Sequence, residues 1–194
     1  MARPLNFDPS VKLQEVMMLF WKKGYNGTSL ADLMQVTGLS KSSLYQTFGN
    51  KHDLFLSAFE MYHQKRLSQL NEILSSEDTA LNAIEKLLHF TIAEDNEVNV
   101  PYGCMTCNEA VEFGPHDIKM SRLLEEEFQK VEAEFVKVIK RGQIDGSITK
   151  DVDEILLARF LTVTIQGMHV MIRARSNKNR LQDTLTVVKR TLKK

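Results

Sequence analysis

The sequence predicts an all-α protein: an N-terminal three-helix head carrying a helix-turn-helix, followed by a larger helical body. Three observations carry this. Apolar residues recur at three- and four-residue spacing along most of the chain. Asp, Ser and Thr stand where those runs begin, and Gly stands where several end. The 194 residues are 43% hydrophobic with only four prolines, enough for one domain or two small ones and unlike a disordered or collagen-like chain.

The first helix is predicted over residues 9–23. Leu13, Val16, Met17, Phe20 and Trp21 make one apolar stripe. Asp8 caps its start, with Pro9 in the first turn. Lys22, Lys23 and Gly24 suit its end. After a turn at Tyr25-Asn26-Gly27, Thr28 or Ser29 caps a short helix to about Thr37, with Leu30, Leu33 and Met34 facing inward. Gly38 ends it, and Ser40 caps a third helix through Phe48. Leu44 and Phe48 make its buried face. Lys41, Ser42, Ser43, Gln46 and Thr47 point outward. Lys51 opens a long helix to about Leu74.

Two short helices joined by a tight Gly-containing turn and braced by a first helix form a helix-turn-helix. The second of the pair is the one that enters the major groove of DNA. Its outward side chains suit that task. Lysine reaches guanine acceptors, glutamine pairs with adenine, and small hydroxyls bond phosphates. Helix N-termini at Thr28, Ser40 and Lys51 would offer N–H groups to phosphate. A plain helical hairpin with a solvated polar face is the alternative.

These residues resemble the TetR/AcrR family of bacterial transcription regulators. The resemblance rests on Leu19-Phe20, Gly24-Tyr25, Thr28-Ser29-Leu30, Asp32-Leu33, Gly38-Leu39-Ser40-Lys41, Leu44-Tyr45, Phe48, Lys51 and Leu54, within residues 9–60. It implies a DNA-binding domain over 1–50, with a connecting helix from 51, and a regulatory and dimerisation domain over 51–194. It implies phosphate contacts from Tyr45 and Lys51, with Thr28, Ser43 and Thr47 nearby, and base reading by Lys41, Ser42 and Gln46. Met17 and Met34 stand where the family often has alanine, which implies a bulkier interface behind the reading helix.

The body reads as further helices. One starts near Thr79, with Leu81, Ile84, Leu87 and Leu88 in its stripe. A loop is expected from Asp95 to Tyr102, then a short helix from Gly103 to about Phe113, broken by Gly114-Pro115. Asp117 caps a long helix to about Arg141, and residues 142–149 read as a turn. Asp151 caps the next helix to about Arg175, and a last helix spans about 179–192. The run from Ile155 to Ile172 is apolar on more than one side, so it should be covered on more than one side. In the resembled family the last two helices pair with those of a second copy. A homodimer through helices at about 151–175 and 179–192 is therefore expected.

Such bodies usually hold a small inducer, here of unknown identity. Met61, Phe90, Met105, Phe113, Met120, Phe128, Met168 and Met171 are candidates to line its pocket, against the default that each is plain core. Cys104 and Cys107 stand three apart at a helix start and join that list. A helix N-terminus favours thiolate, so Cys104 would react with an oxidant or electrophile and Cys107 would resolve it. A zinc site lacks a second ligand pair, although His116 is near in sequence. Packing as two small apolar residues is the default. Glu109 and Glu112 read as solvated, or as ligands for a cation. His89, His116 and His169 read as isolated. No catalytic residue, metal or cofactor is expected; a cysteine-dependent enzyme and a protein-binding adaptor are the alternatives to a regulator of transcription, most simply a repressor.

Net charge is zero, from 25 basic and 25 acidic residues. By segment it is +3 over residues 1–66, −10 over 67–172 and +7 over 173–194. The basic head is thus the expected partner of a double-stranded operator, with strong salt dependence. No apolar run approaches the ~20 residues of a membrane helix, and the N-terminus has no apolar signal core. A cytoplasmic protein with no membrane partner is expected.

Overall fold

The computed structural model describes residues 7–97, 102–113 and 117–193. Among them are nine helices and no strand, as predicted. They form two compact units, residues 1–65 and 66–194.

The first unit contains α1 (Pro9–Lys23), α2 (Leu30–Thr37), α3 (Lys41–Phe48) and the first part of α4 (Lys51–Ser75). The expected caps form. Asp8 accepts from the Ser10 N–H, and Ser40 accepts from the Ser43 N–H. Ser29 and Asp32 make a reciprocal capping box. Asp32 also meets Lys23 at 2.6 Å; the lysine contact and the Ser29 bonds hold its carboxyl well below the usual range. Val16, Phe20, Leu33, Leu44, Leu54, Phe55 and Phe59 are fully buried. Each contributes about 1.5–3 kcal/mol of transfer free energy. Phe20 meets Phe55 edge-on at 5.2 Å, and Trp21 meets Tyr62 at 5.1 Å. These contacts draw the start of α4 into the first compact unit, which runs to residue 65. Met34 corrects the prediction: it is exposed, so the inward face of α2 is made by Leu33 and Thr37.

The second unit contains the rest of α4, α5 (Ala80–Glu97), α6 (Met105–Phe113), α7 (Ile118–Asp145), α8 (Glu154–Arg173) and α9 (Lys178–Leu192). α7 packs along α8, α5 packs on α7, α8 and α9, and α6 packs on α7 and α8. Ile84, Leu88, Phe135, Ile139, Leu161 and Val188 lie in one continuous apolar core.

Four boundaries differ from the sequence reading. α5 runs to Glu97, three residues into the expected loop. α6 begins at Met105, which leaves Gly103 and Cys104 before it. α7 continues to Asp145 and ends at left-handed Gly146. Gly142 is inside that helix, because a Cβ there would stand 2.5 Å from Ile148 and 2.9 Å from Ala80. It is a packing glycine rather than a breaker. Asp153, not Asp151, caps α8. The break at Gly114-Pro115 and His116 lie outside the described residues. α8 corrects one more expectation: by length and composition it is apolar enough to cross a membrane. Its buried side chains, Leu157, Leu161, Ile165, Met168 and Ile172 among them, belong to the unit's core.

Candidate DNA-binding face and cysteine site

The turn between α2 and α3 is locked by its own backbone. Gly38 takes a left-handed conformation (φ 68°), which L side chains adopt at a cost. The Thr37 hydroxyl donates to the Leu33 carbonyl at 2.7 Å and accepts from the Leu39 N–H. Ser40 then starts α3, and Leu44 anchors it in the core. The opposite side of α3 leaves Lys41, Ser42 and Gln46 exposed, with Ser43, Tyr45 and Thr47 half-buried beside them. Lys41 Nζ lies 5.8 Å from the Tyr45 ring centroid. The Thr47 hydroxyl donates to the Ser43 carbonyl, and the Ser43 hydroxyl meets that of Ser40 at 3.0 Å.

Two of the sequence-predicted contact residues have internal duties. Thr28 is fully buried, and its hydroxyl donates to the Gly24 carbonyl at 2.7 Å. Its side chain is a strut of the turn. Lys51 donates to the Tyr25 carbonyl at 2.7 Å and sits over the Tyr25 ring. Tyr25 ionises above its ordinary value because it is part-buried and Tyr45 lies near.

In the second unit the cysteines stand at the start of α6. Gly103 there has φ 66°, and a Cβ on it would stand 2.7 Å from the His169 carbonyl. Only glycine lets the chain approach α8 so closely. Arg173 and Asn108 both donate to the Tyr102 carbonyl, at 2.8 and 3.0 Å. The Cys104 carbonyl accepts the first turn's Asn108 N–H, and its side chain is buried. Cys107 is half-buried and donates to Gln166 Oε1 at 3.0 Å. Its S–H has a second acceptor within reach, the Cys104 sulfur. When the S–H turns to that sulfur it lowers the Cys104 thiol below its ordinary value against burial, helped by His169, the Cys107 N–H and Thr106. The same bond, burial and the Cys104 charge push Cys107 up. The pair is polarised in direction, Cys104 lowered and Cys107 raised.

The N-terminal stretch 13–58 matches the family model described as bacterial regulatory proteins of the tetR family. Residues 80–188 match the model of the tetracyclin repressor-like C-terminal domain. The chain belongs to the TetR family. An uncharacterised HTH-type transcriptional regulator, YezE of Bacillus subtilis, is 30% identical over 96% of this chain and 97% of its own. The HTH-type transcriptional repressor ComR of Escherichia coli is 29% identical over 93% of this chain and 86% of its own. A solved cysteine mutant of the TetR-family regulator CifR, complexed with 26-base-pair operator DNA, superposes with a TM-score of 0.87. It is 28% identical and covers 98% of this chain and all of its own.

As a TetR-family member this protein is a transcriptional regulator and not an enzyme. All eight candidate DNA contacts lie within the first matched stretch. Of the candidate ligand residues, Met61 falls in the first compact unit and the others in the second. Cys104, Met105 and Met168 are buried there, and Phe90, Cys107, Phe113 and Phe128 are half-buried. Sequence reasoning missed His169 and Gln166 as neighbours of the cysteines. They lie some sixty residues further along the chain, and no local spacing signals them. It also missed that Glu109 is fully buried. Among the described residues no group of three His, Cys, Asp or Glu is arranged to hold a metal ion.

Proposed function

We propose that this TetR-family protein is a cytoplasmic homodimeric repressor, released from its operator when Cys104 is modified. Lys41, Ser42 and Gln46 read base edges, while Ser43, Tyr45, Thr47, Lys51 and the N-termini of α2, α3 and α4 hold phosphates. The observation that carries the regulatory half is the cysteine pair at the start of α6, with Cys104 buried and Cys107 bonded to Gln166 on α8.

The chemistry follows from that pair. The Cys104 thiolate attacks a hydroperoxide, taking one oxygen and releasing the alcohol. The resulting sulfenic acid is resolved by Cys107, whose sulfur displaces water to leave a disulfide. The disulfide consumes the Cys107 S–H, so oxidation breaks the bond by which Cys107 ties the start of α6 to Gln166 on α8.

Dimerisation is supported by an apolar stripe on α8 that its own chain leaves open. Leu156, Phe160, Val163 and Val170 are exposed large hydrophobics at spacings of four, three and seven. Gly167 completes the stripe, and a Cβ there would meet nothing within 4 Å. A second copy of the same helix fits such a face.

The test is operator binding by the purified protein under reducing conditions and after stoichiometric hydroperoxide. The proposal expects binding to be lost on oxidation, restored by dithiothreitol, and insensitive to peroxide in Cys104→Ser. Peroxide-sensitive binding in Cys104→Ser would overturn it.

A further inference from the structure

The sequence puts Glu109 and Glu112 on a solvated helix face. The structure does not: Glu109 is 0% exposed, and neither carboxyl oxygen has a hydrogen-bond partner among the described residues. Buried polar groups in proteins are normally hydrogen-bonded, and one that is not asks for a reason. A packing role is a poor reason, because Gln or Leu would fill the same volume without desolvating an acid.

The charges around Glu109 do not complete it. Glu112, on the same helix, repels its charged form and favours its protonated one. Arg173 on α8 attracts it, but that guanidinium is exposed and donates to the Tyr102 carbonyl. Burial and Glu112 together push the Glu109 carboxyl up to about 8. The helices that pack around α6 bury adaptable and polar side chains rather than rigid aliphatics alone: Met105 and Thr106 on α6, Met120 on α7, Met168 and His169 on α8. Thioethers repack around an irregular guest at small cost.

We propose that Glu109 anchors an effector site between α6, α7 and α8 for a small organic cation, an amine with an apolar body. An ammonium supplies both things the carboxyl lacks, hydrogen-bond donors and a compensating charge. A neutral alcohol supplies only the first, and a carboxylate neither. On binding, the carboxyl O–H proton passes to the buffer and the ammonium pairs with the carboxylate that remains, so charge is conserved. This inference deepens the repressor reading by naming an effector class distinct from a thiol oxidant.

The probe is benzylamine, compared with benzyl alcohol and benzoate by calorimetry on the full-length reduced protein near neutral pH. Runs in two buffers of different ionisation enthalpy count protons released. Benzylamine should bind with net proton release, benzyl alcohol about tenfold or more weakly, and benzoate not at all. Glu109→Gln should lose benzylamine binding by a similar factor, together with the proton release. Absence of benzylamine binding to the wild type, binding without proton release, or equal binding in Glu109→Gln would each overturn the site. Operator binding, followed in parallel, separates the two readings. Intact operator binding without a benzylamine response sinks this inference alone, whereas loss of operator preference in the reduced wild type sinks the repressor reading.

Discussion

The ammonium of Lys51 donates to the backbone carbonyl of Tyr25 at 2.7 Å while lying 4.3 Å from the centroid of the same residue's ring. The Tyr25 ring in turn packs on Phe55 at 5.1 Å. One lysine at the start of α4 thus ties the α1–α2 turn to the head's aromatic core. Its charge serves the fold first, and any phosphate contact is built on that.

Lys41 and Lys51 should therefore part company on substitution. Lys51→Met should cost about 1–2 kcal/mol of stability, from one hydrogen bond and one cation–π contact. It should also weaken operator binding and lower the salt slope by about one. Lys41, exposed on α3, should on substitution by Met weaken operator binding with stability unchanged within about 0.5 kcal/mol. Thermal melts and gel shifts across a salt series check both. Equal stability loss in the two variants would contradict the assignment.

Glu109 makes stability depend on pH with a defined sign. An unfolded glutamate releases its proton near its ordinary value of 4.5, whereas the folded one keeps it to about 8. Between these values the folded state binds more protons, so stability falls as pH rises. The slope approaches about 1.4 kcal/mol per pH unit. Urea unfolding at about pH 5.5 and about pH 7.5 should show the wild type losing about 2–3 kcal/mol more than Glu109→Gln. Parallel behaviour of the two proteins would mean that the carboxyl is compensated.

The fold was legible because its signals are local. Asp8, Ser29, Ser40 and Asp117 all cap the helices they were expected to cap. Gly142 was misread because glycine signals a turn and a close packing contact with the same letter, and only Ile148 and Ala80 tell them apart. Met34 was misread because its place in the helical period fits the inward face, yet α2 is short and the turn to α3 leaves it open. On the cysteine site, the C-x-x-C spacing was visible. Its polarisation was not, since His169 and Gln166 reach it only through the packing of α6 on α8.

Cysteine reactivity gives a sharper test than activity. The Cys104 thiol is lowered chiefly by the bond from Cys107, with burial opposing it. Cys107→Ala deletes that donor and should raise the pH midpoint of Cys104 alkylation by about one unit or more. The iodoacetamide rate near neutral pH should drop about tenfold. Cys107→Ser keeps an O–H donor and should hold the midpoint close to wild type, while abolishing the disulfide. Mass-spectrometric alkylation profiles read both outcomes. A midpoint unmoved in Cys107→Ala would show that helix and histidine, not the second cysteine, govern the thiol.

The α8 stripe supports a prediction in which two substitutions that spare or strengthen the monomer both weaken the dimer. Val163 is 72% exposed on its own chain. Val163→Glu should therefore cost the monomer little, because it places a charge where water already is. If a second copy covers the stripe, the same charge is desolvated at the interface. The light-scattering mass should then fall from twice the chain's 22.2 kDa to that value, and operator affinity should fall with it. Gly167→Ala should stabilise an isolated α8 by about 1 kcal/mol, since alanine is the better helix former and its Cβ meets nothing in the chain. Against a closely apposed partner helix the added methyl is an obstruction, so the dimer should weaken while the helix strengthens. Val163→Glu without a mass change, or Gly167→Ala stabilising the dimer as much as the helix, would place the second copy elsewhere.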